Sequence, residues 1–240
     1  LWGLTCLHID AHLDVMEDNF SPQALLDLGP QATSQTLRRY RDEGILTCAN
    51  YLYPALRAGL VERLIWVLPP HILPGDPRTV SVLQELSHWV DLPLADYRAF
   101  ENSEQIVRGT LFHRDFLVCT SKSLSALNLQ DCPNLVLDID LDYFVRACDD
   151  VTWQTPHELY QQIGPLKPQM VTVATSVSGG YTPAWDQYLG PVCCEVFGGS
   201  PEAYREETRL LTSGGDEALK ELLETAPSFM RPAVLARLGR

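Results

Sequence analysis

The run Leu135-Val136-Leu137-Asp138-Ile139-Asp140-Leu141-Asp142-Tyr143-Phe144 constrains the fold more than any other stretch. It reads as a strand buried on both faces, as in a parallel sheet. Yet alternate positions carry acids where such a strand is normally apolar. Side chains alternate faces along a strand, so Asp138 and Asp140 project to one side. A second string is built the same way: apolar Leu4 to Leu7 leads into His8-Ile9-Asp10-Ala11-His12-Leu13-Asp14. In extended geometry Asp10, His12 and Asp14 share one face. The carboxyl ends of parallel strands are where open α/β sheets bind ligands. Carboxylates gathered there repel one another and are costly to desolvate unless a cation neutralises them. A pair of divalent metal ions does so. Asp and His also end strands simply as turn formers and caps. Two such strings, each closing an apolar strand, favour the metal reading.

Strand and helix signals alternate along the chain. Strands are expected at Thr5 to Asp10, Arg63 to Leu68, Asn134 to Asp140 and Met170 to Thr175. Short antiparallel strands are expected at Gln105 to Arg108 and Phe116 to Thr120, around a turn at His113-Arg114-Asp115. Ser21-Pro22 opens a short helix. Leu46 to Ala58 has helical spacing, with Gly44 or Gly59 at its edges. Thr79 to Trp89 leans helical. Thr155-Pro156-His157-Glu158 is a capping box opening a helix to about Leu166. Further helices are expected at Pro183 to Tyr188, Pro201 to Leu211 and Asp216 to Thr225. This alternation predicts a three-layer α/β/α sandwich with a mostly parallel sheet. The 240 residues suit a single domain over 1–240.

Composition narrows the partners. A net charge of −13 disfavours nucleic acid and anionic membranes and suits a cationic substrate, although solubility explains it equally well. No apolar run has the roughly 18 residues of a membrane span. Seven cysteines at irregular spacing, with no Cys-x-x-Cys pair, predict reduced thiols and a cytoplasmic location. Cys193 and Cys194 are expected as small core residues. The sequence is compatible with a homo-oligomer. Oxygen-rich donors with one imidazole favour Mn²⁺ or Mg²⁺ over Zn²⁺. Two such ions about 3.5–4 Å apart activate a water between them as a nucleophile.

Asp10-Ala11-His12-Leu13-Asp14 resembles the first metal-binding element of the arginase and agmatinase (ureohydrolase) superfamily, and Asp138-Ile139-Asp140 resembles its second. Three further segments are similar in content and order to an arginase-like family that includes peptide arginases acting on ribosomally made precursor peptides. These are Asn50-Tyr51-Leu52-Tyr53-Pro54-Ala55 with Ile65-Trp66-Val67, then Asp142-Tyr143-Phe144, then Ala174-Thr175-Ser176-Val177-Ser178-Gly179-Gly180-Tyr181. The resemblance covers roughly residues 4 to 190. It implies an arginase/deacetylase-like fold and two Mn²⁺ ions bound by Asp10, His12, Asp14, Asp138 and Asp140. It also implies a further metal-binding His, expected on a strand preceding Leu1. Val15-Met16-Glu17-Asp18-Asn19-Phe20 does not match the loop with which free-arginine enzymes grip the amino acid. The expected substrate is therefore an arginine side chain within a peptide, converted to ornithine with release of urea.

Catalytic roles are expected for Asp14, which orients the nucleophilic water, and for Asp142 and Asn50. Substrate contacts are expected from Glu195, Ser178, Gly179 and Gly180. Each has a plainer alternative: a cap for Asn50, a strand-end brace for Asp142, a tight turn for the glycines. His8 is either an orienting partner of a metal ligand or a satisfied core histidine. His71, His88, His113 and His157 are expected at the surface or in loops. The competing functions are a metal-dependent deacetylase of the same fold and a metal-binding protein without catalysis.

Overall fold

Strand β1 (Leu4–Ile9) is buried along nearly its whole length, and so is Leu64 to Val67 of β2 (Val61–Val67). Apolar residues on both faces of a strand call for a layer on each side, which is the setting of a parallel sheet. The two pair in parallel, with Leu7 opposite Ile65 and Ile9 opposite Val67. The computed structural model describes residues 3–17, 20–72, 82, 86, 90, 94–103, 105–146, 149–164, 166–179 and 181–239. These form two compact units, Leu1–Leu137 and Asp138–Arg240.

In the first unit, β2 pairs in parallel with β5 (Arg114–Cys119). The edge is antiparallel: β4 (Ile106–Leu111) pairs with β5, and β3 (Glu101–Ser103) pairs with β4. The strand order is β3-β4-β5-β2-β1-β6, where β6 (Leu135–Asp140) enters at the end of the unit. The chain is thus α/β with a mostly parallel sheet, as the alternating signals predict. The hairpin turn falls at Phe112 and His113 rather than at His113 to Asp115, and both residues have positive φ, 51° and 64°. A two-residue hairpin loop needs that backbone hand to match strand twist. Neither residue is a usual one for it, so the sequence placed the turn late.

Helix α1 (Pro22–Asp27) starts as expected, with the Ser21 hydroxyl accepting from the Ala24 N–H. Helix α2 (Ser34–Asp42) was not anticipated: its one buried residue is Tyr40, too little for an apolar period to show. Helix α3 (Leu52–Arg57) buries Leu52, Tyr53 and Leu56 against Leu64, Trp66, Phe116 and Val118 of the sheet. It begins six residues later than the spacing predicts. Residues 45–51 form a turn instead, because Asn50 offers the backbone other partners: its Oδ1 accepts from Thr47 N–H at 2.8 Å and its Nδ2 donates to Ile45 O at 2.9 Å. Gly59, with φ 74°, follows the helix in the left-handed conformation usual at such an end. Helix α4 is short (Leu94–Arg98). Of the helix expected at Thr79 to Trp89, Val82 and Leu86 are helical and buried, and the remainder lies outside the described residues.

In the second unit, the end of β6 leads into a 3₁₀ turn, Leu141–Phe144, and a small hairpin of β7 (Val145–Arg146) and β8 (Val151–Thr152). Helix α5 (Pro156–Ile163) opens with the predicted capping box: Thr155 accepts from Glu158 N–H, and Glu158 accepts from Thr155 N–H at 2.7 Å. Strand β9 (Met170–Ala174) lies beside β6. A 3₁₀ segment (Ala184–Tyr188) continues directly into helix α6 (Leu189–Phe197), which lies beyond the expected helix of Pro183 to Tyr188. Helices α7 (Arg205–Ser213), α8 (Asp216–Thr225) and α9 (Arg231–Arg237) complete the unit. On α6 Cys193 is buried but Cys194 is exposed, so only the former is a core residue. His157, expected at the surface, is buried on α5. No helix among the described residues is long and apolar enough to cross a membrane.

Candidate metal centre

The first acidic string does not continue as a strand. β1 ends at Ile9, residues 10–12 bend, and Asp14 takes a left-handed φ of 54°. The expectation that Asp10, His12 and Asp14 share a strand face is therefore corrected. The bend is held by Asp10 itself, whose Oδ1 accepts the His12 backbone N–H at 2.7 Å. β2 pins the same residue from the side: Asp10 N–H donates to Val67 O at 3.3 Å, and Trp66 Nε1–H donates to Asp10 O at 3.1 Å. Asp10 Oδ2 lies 3.4 Å from His8 Nε2.

His8, within β1, belongs to the cluster. His8, Asp10 and Asp14 present ligand atoms that all lie within 4.8 Å of one another. His8 and Asp10 are almost fully buried, and Asp14 is half-buried. His8 Nε2 also lies 3.1 Å from His12 O. His8 is thus a fourth participant beside the three predicted residues of this string, and its ring is oriented by the acid it accompanies. The His12 ring is more exposed, with Nδ1 3.7 Å from Asp10 Oδ1. Two carboxylates and an imidazole are the donor set of a hard divalent cation, and their burial gives that cation a charge to neutralise. These residues fit a metal ion.

The second string is organised within its own unit. Asp140, almost fully buried, accepts the Asp142 N–H on Oδ1 at 3.1 Å and the Ser176 hydroxyl on Oδ2. Asp138, half-buried, accepts the Thr172 hydroxyl from β9. These bonds hold the two acids in place. Asp142 is buried in the 3₁₀ turn. Thr172 and Ser176 had no assigned role in the sequence. Ser176 lies in the Ala174-Thr175-Ser176 segment that carries the resemblance, and its backbone takes a left-handed φ of 46°.

The remaining predicted residues are Asn50, Ser178, Gly179, Gly180 and Glu195. Asn50 is buried, with its amide spent on the 45–50 turn. Ser178 and Gly179 are exposed in the turn after β9, and Gly180 lies outside the described residues. Glu195 is exposed on α6. No protein-family model matches the chain, and no curated protein matches it.

Proposed function

We propose that this protein is a manganese-dependent guanidino hydrolase that converts arginine side chains of a peptide to ornithine and urea. The observation that carries the reading is the group of His8, Asp10 and Asp14, the first two of them buried. The resemblance in sequence adds His12, Asp138 and Asp140 as ligands of two Mn²⁺ ions, and an arginase/deacetylase-like three-layer sandwich as the architecture. The mostly parallel sheet is in keeping with that architecture.

A divalent cation supplies Lewis acidity and a water that ionises near neutral pH. The protein's own residues do the rest. Asp14 orients the attacking water as a hydrogen-bond acceptor. Ser176 and Thr172 hold Asp140 and Asp138 in one orientation. Trp66 and Val67 fix the Asp10 backbone. Asp142 adds negative charge that favours a guanidinium. In the reaction, water adds to the guanidinium carbon, the bond from that carbon to the side-chain nitrogen breaks, that nitrogen takes a proton, and urea leaves. Asn50 contributes by shaping the loop, while Ser178, Gly179, Gly180 and Glu195 contact the peptide.

The test is urea release from an arginine-containing peptide by the full chain with added Mn²⁺, alongside free L-arginine and metal analysis. Ornithine in the peptide, kcat/KM well above that for free arginine, and loss of both metal and turnover in Asp10→Ala and Asp140→Ala are expected. Full metal occupancy with normal turnover in either variant refutes the ligand assignment. Comparable kcat/KM for peptide and free arginine refutes the substrate class. Deacetylation without urea release, or metal binding without turnover, refutes the hydrolase.

A further inference from the structure

Two adjoining cavities lie within the second unit, and neither is lined by Asp138 or Asp140. One, of about 580 Å³, is lined by Asp150, Thr152, Trp185, Asp186, Thr212 and Arg237 among others. The other, of about 340 Å³, shares Thr152 and Thr212 with it and reaches Gln154 and His157. Asp186, Gln154 and His157 are only 6%, 4% and 6% exposed, and each holds a polar atom with no hydrogen-bond partner: Oδ2, Oε1 and Nδ1. All three are acceptors. His157 Nε2 faces Ala203 O at 2.9 Å, and a carbonyl only accepts, so Nε2 carries the proton and Nδ1 presents a lone pair. Buried polar groups in folded proteins nearly always find a partner, and three residues that each keep an unsatisfied acceptor line this one pair of cavities.

The chemistry of that partner follows from the walls. The cations around the cavities are already engaged. Arg205 pairs with Glu202 and Arg209 with Glu206. Exposed Arg237 has its guanidinium 3.5 Å from Thr212 O. Asp150 and Asp186 outnumber it. A ligand that fits must donate, carry positive charge, and place an aliphatic stem against Leu211, Ala233 and Ala236. Trp185, 41% exposed at the rim, presents an indole to a cation.

We propose that these cavities form a binding site for an organic cation, an ammonium or guanidinium on a flexible aliphatic stem, anchored by Asp186. The cation is either a free polyamine or a basic side chain of a peptide. The site does not depend on the hydrolase reading, and lysine probes separate the two because lysine has no guanidinium to hydrolyse.

The experiment is calorimetric titration of the full chain with spermidine and, separately, with a blocked dilysine peptide. At least one binds saturably, and Asp186→Asn weakens it about tenfold or more, the loss of one charge-assisted bond. Trp185→Ala, at a partly exposed position, weakens it in the same direction and serves if the first variant fails to fold. The tighter ligand identifies the source. Binding of neither ligand up to about 10 mM, well beyond the weak end of specific recognition, overturns the proposal. So does unchanged affinity in folded variants, or binding that is lost in Asp10→Ala and retained in Asp186→Asn.

Discussion

Asp186→Asn also probes stability, because burial, aided by the charge of Asp150, pushes the Asp186 carboxyl up to about 6 from its ordinary 3.8. The side chain is 6% exposed, so little solvent screening applies. A rise of roughly two pH units corresponds to about 3 kcal/mol of differential stability. The sign follows from proton counts. Between the two values the folded chain holds a proton that the unfolded chain has released, so stability falls as pH rises through this window. Below about 4 the residue contributes no penalty, and above about 6 the whole penalty is present. Asparagine keeps the shape and cannot ionise. The stability of the variant relative to wild type should therefore increase by about 2–3 kcal/mol between pH 4 and pH 8. Urea denaturation followed by circular dichroism at several pH values measures it. A difference that stays constant across that range would refute the reasoning, since nothing but ionisation of Asp186 makes it pH-dependent.

Two further predictions test the setting of the first acidic string. Trp66→Phe removes the indole N–H that fixes the Asp10 carbonyl. Metal affinity, read by competition with a chelator, should fall about tenfold, as for other groups that orient a ligand, and an unchanged affinity would show that β2 does not position Asp10. Asn50→Ala deprives the Thr47 N–H and the Ile45 carbonyl of their partner; it should cost about 1–3 kcal/mol in denaturant unfolding, with Asn50→Asp losing less because it keeps the acceptor.

Local signals made much of this chain legible. Buried strands announce themselves where apolar runs such as Leu135 to Leu137 need cover on both faces, and Thr155-Pro156-His157-Glu158 spells its own helix start because capping is a contact between near neighbours. Elements with one buried residue, such as α2, leave no period to read, and α3 starts late because a side chain within the turn competed with the helix.

The acids of the candidate site are likewise visible in sequence, since a carboxylate inside an apolar strand is conspicuous wherever it lies. Their arrangement is not. Strand periodicity puts Asp10, His12 and Asp14 on one face, but β1 ends at Ile9 once Asp10 turns its carboxylate onto the His12 N–H, and His8 stands beside Asp10 and Asp14. Trp66 reaches Asp10 across 56 positions, and Ser176 reaches Asp140 across 36. Such partners are set by strand neighbours and chain reversals, whose geometry no local pattern encodes. The unpartnered acceptors of Gln154, His157 and Asp186 belong to the same class. Each residue type is ordinary in sequence, and only packing decides that no protein donor reaches it, because desolvation is a property of the surroundings rather than of the residue.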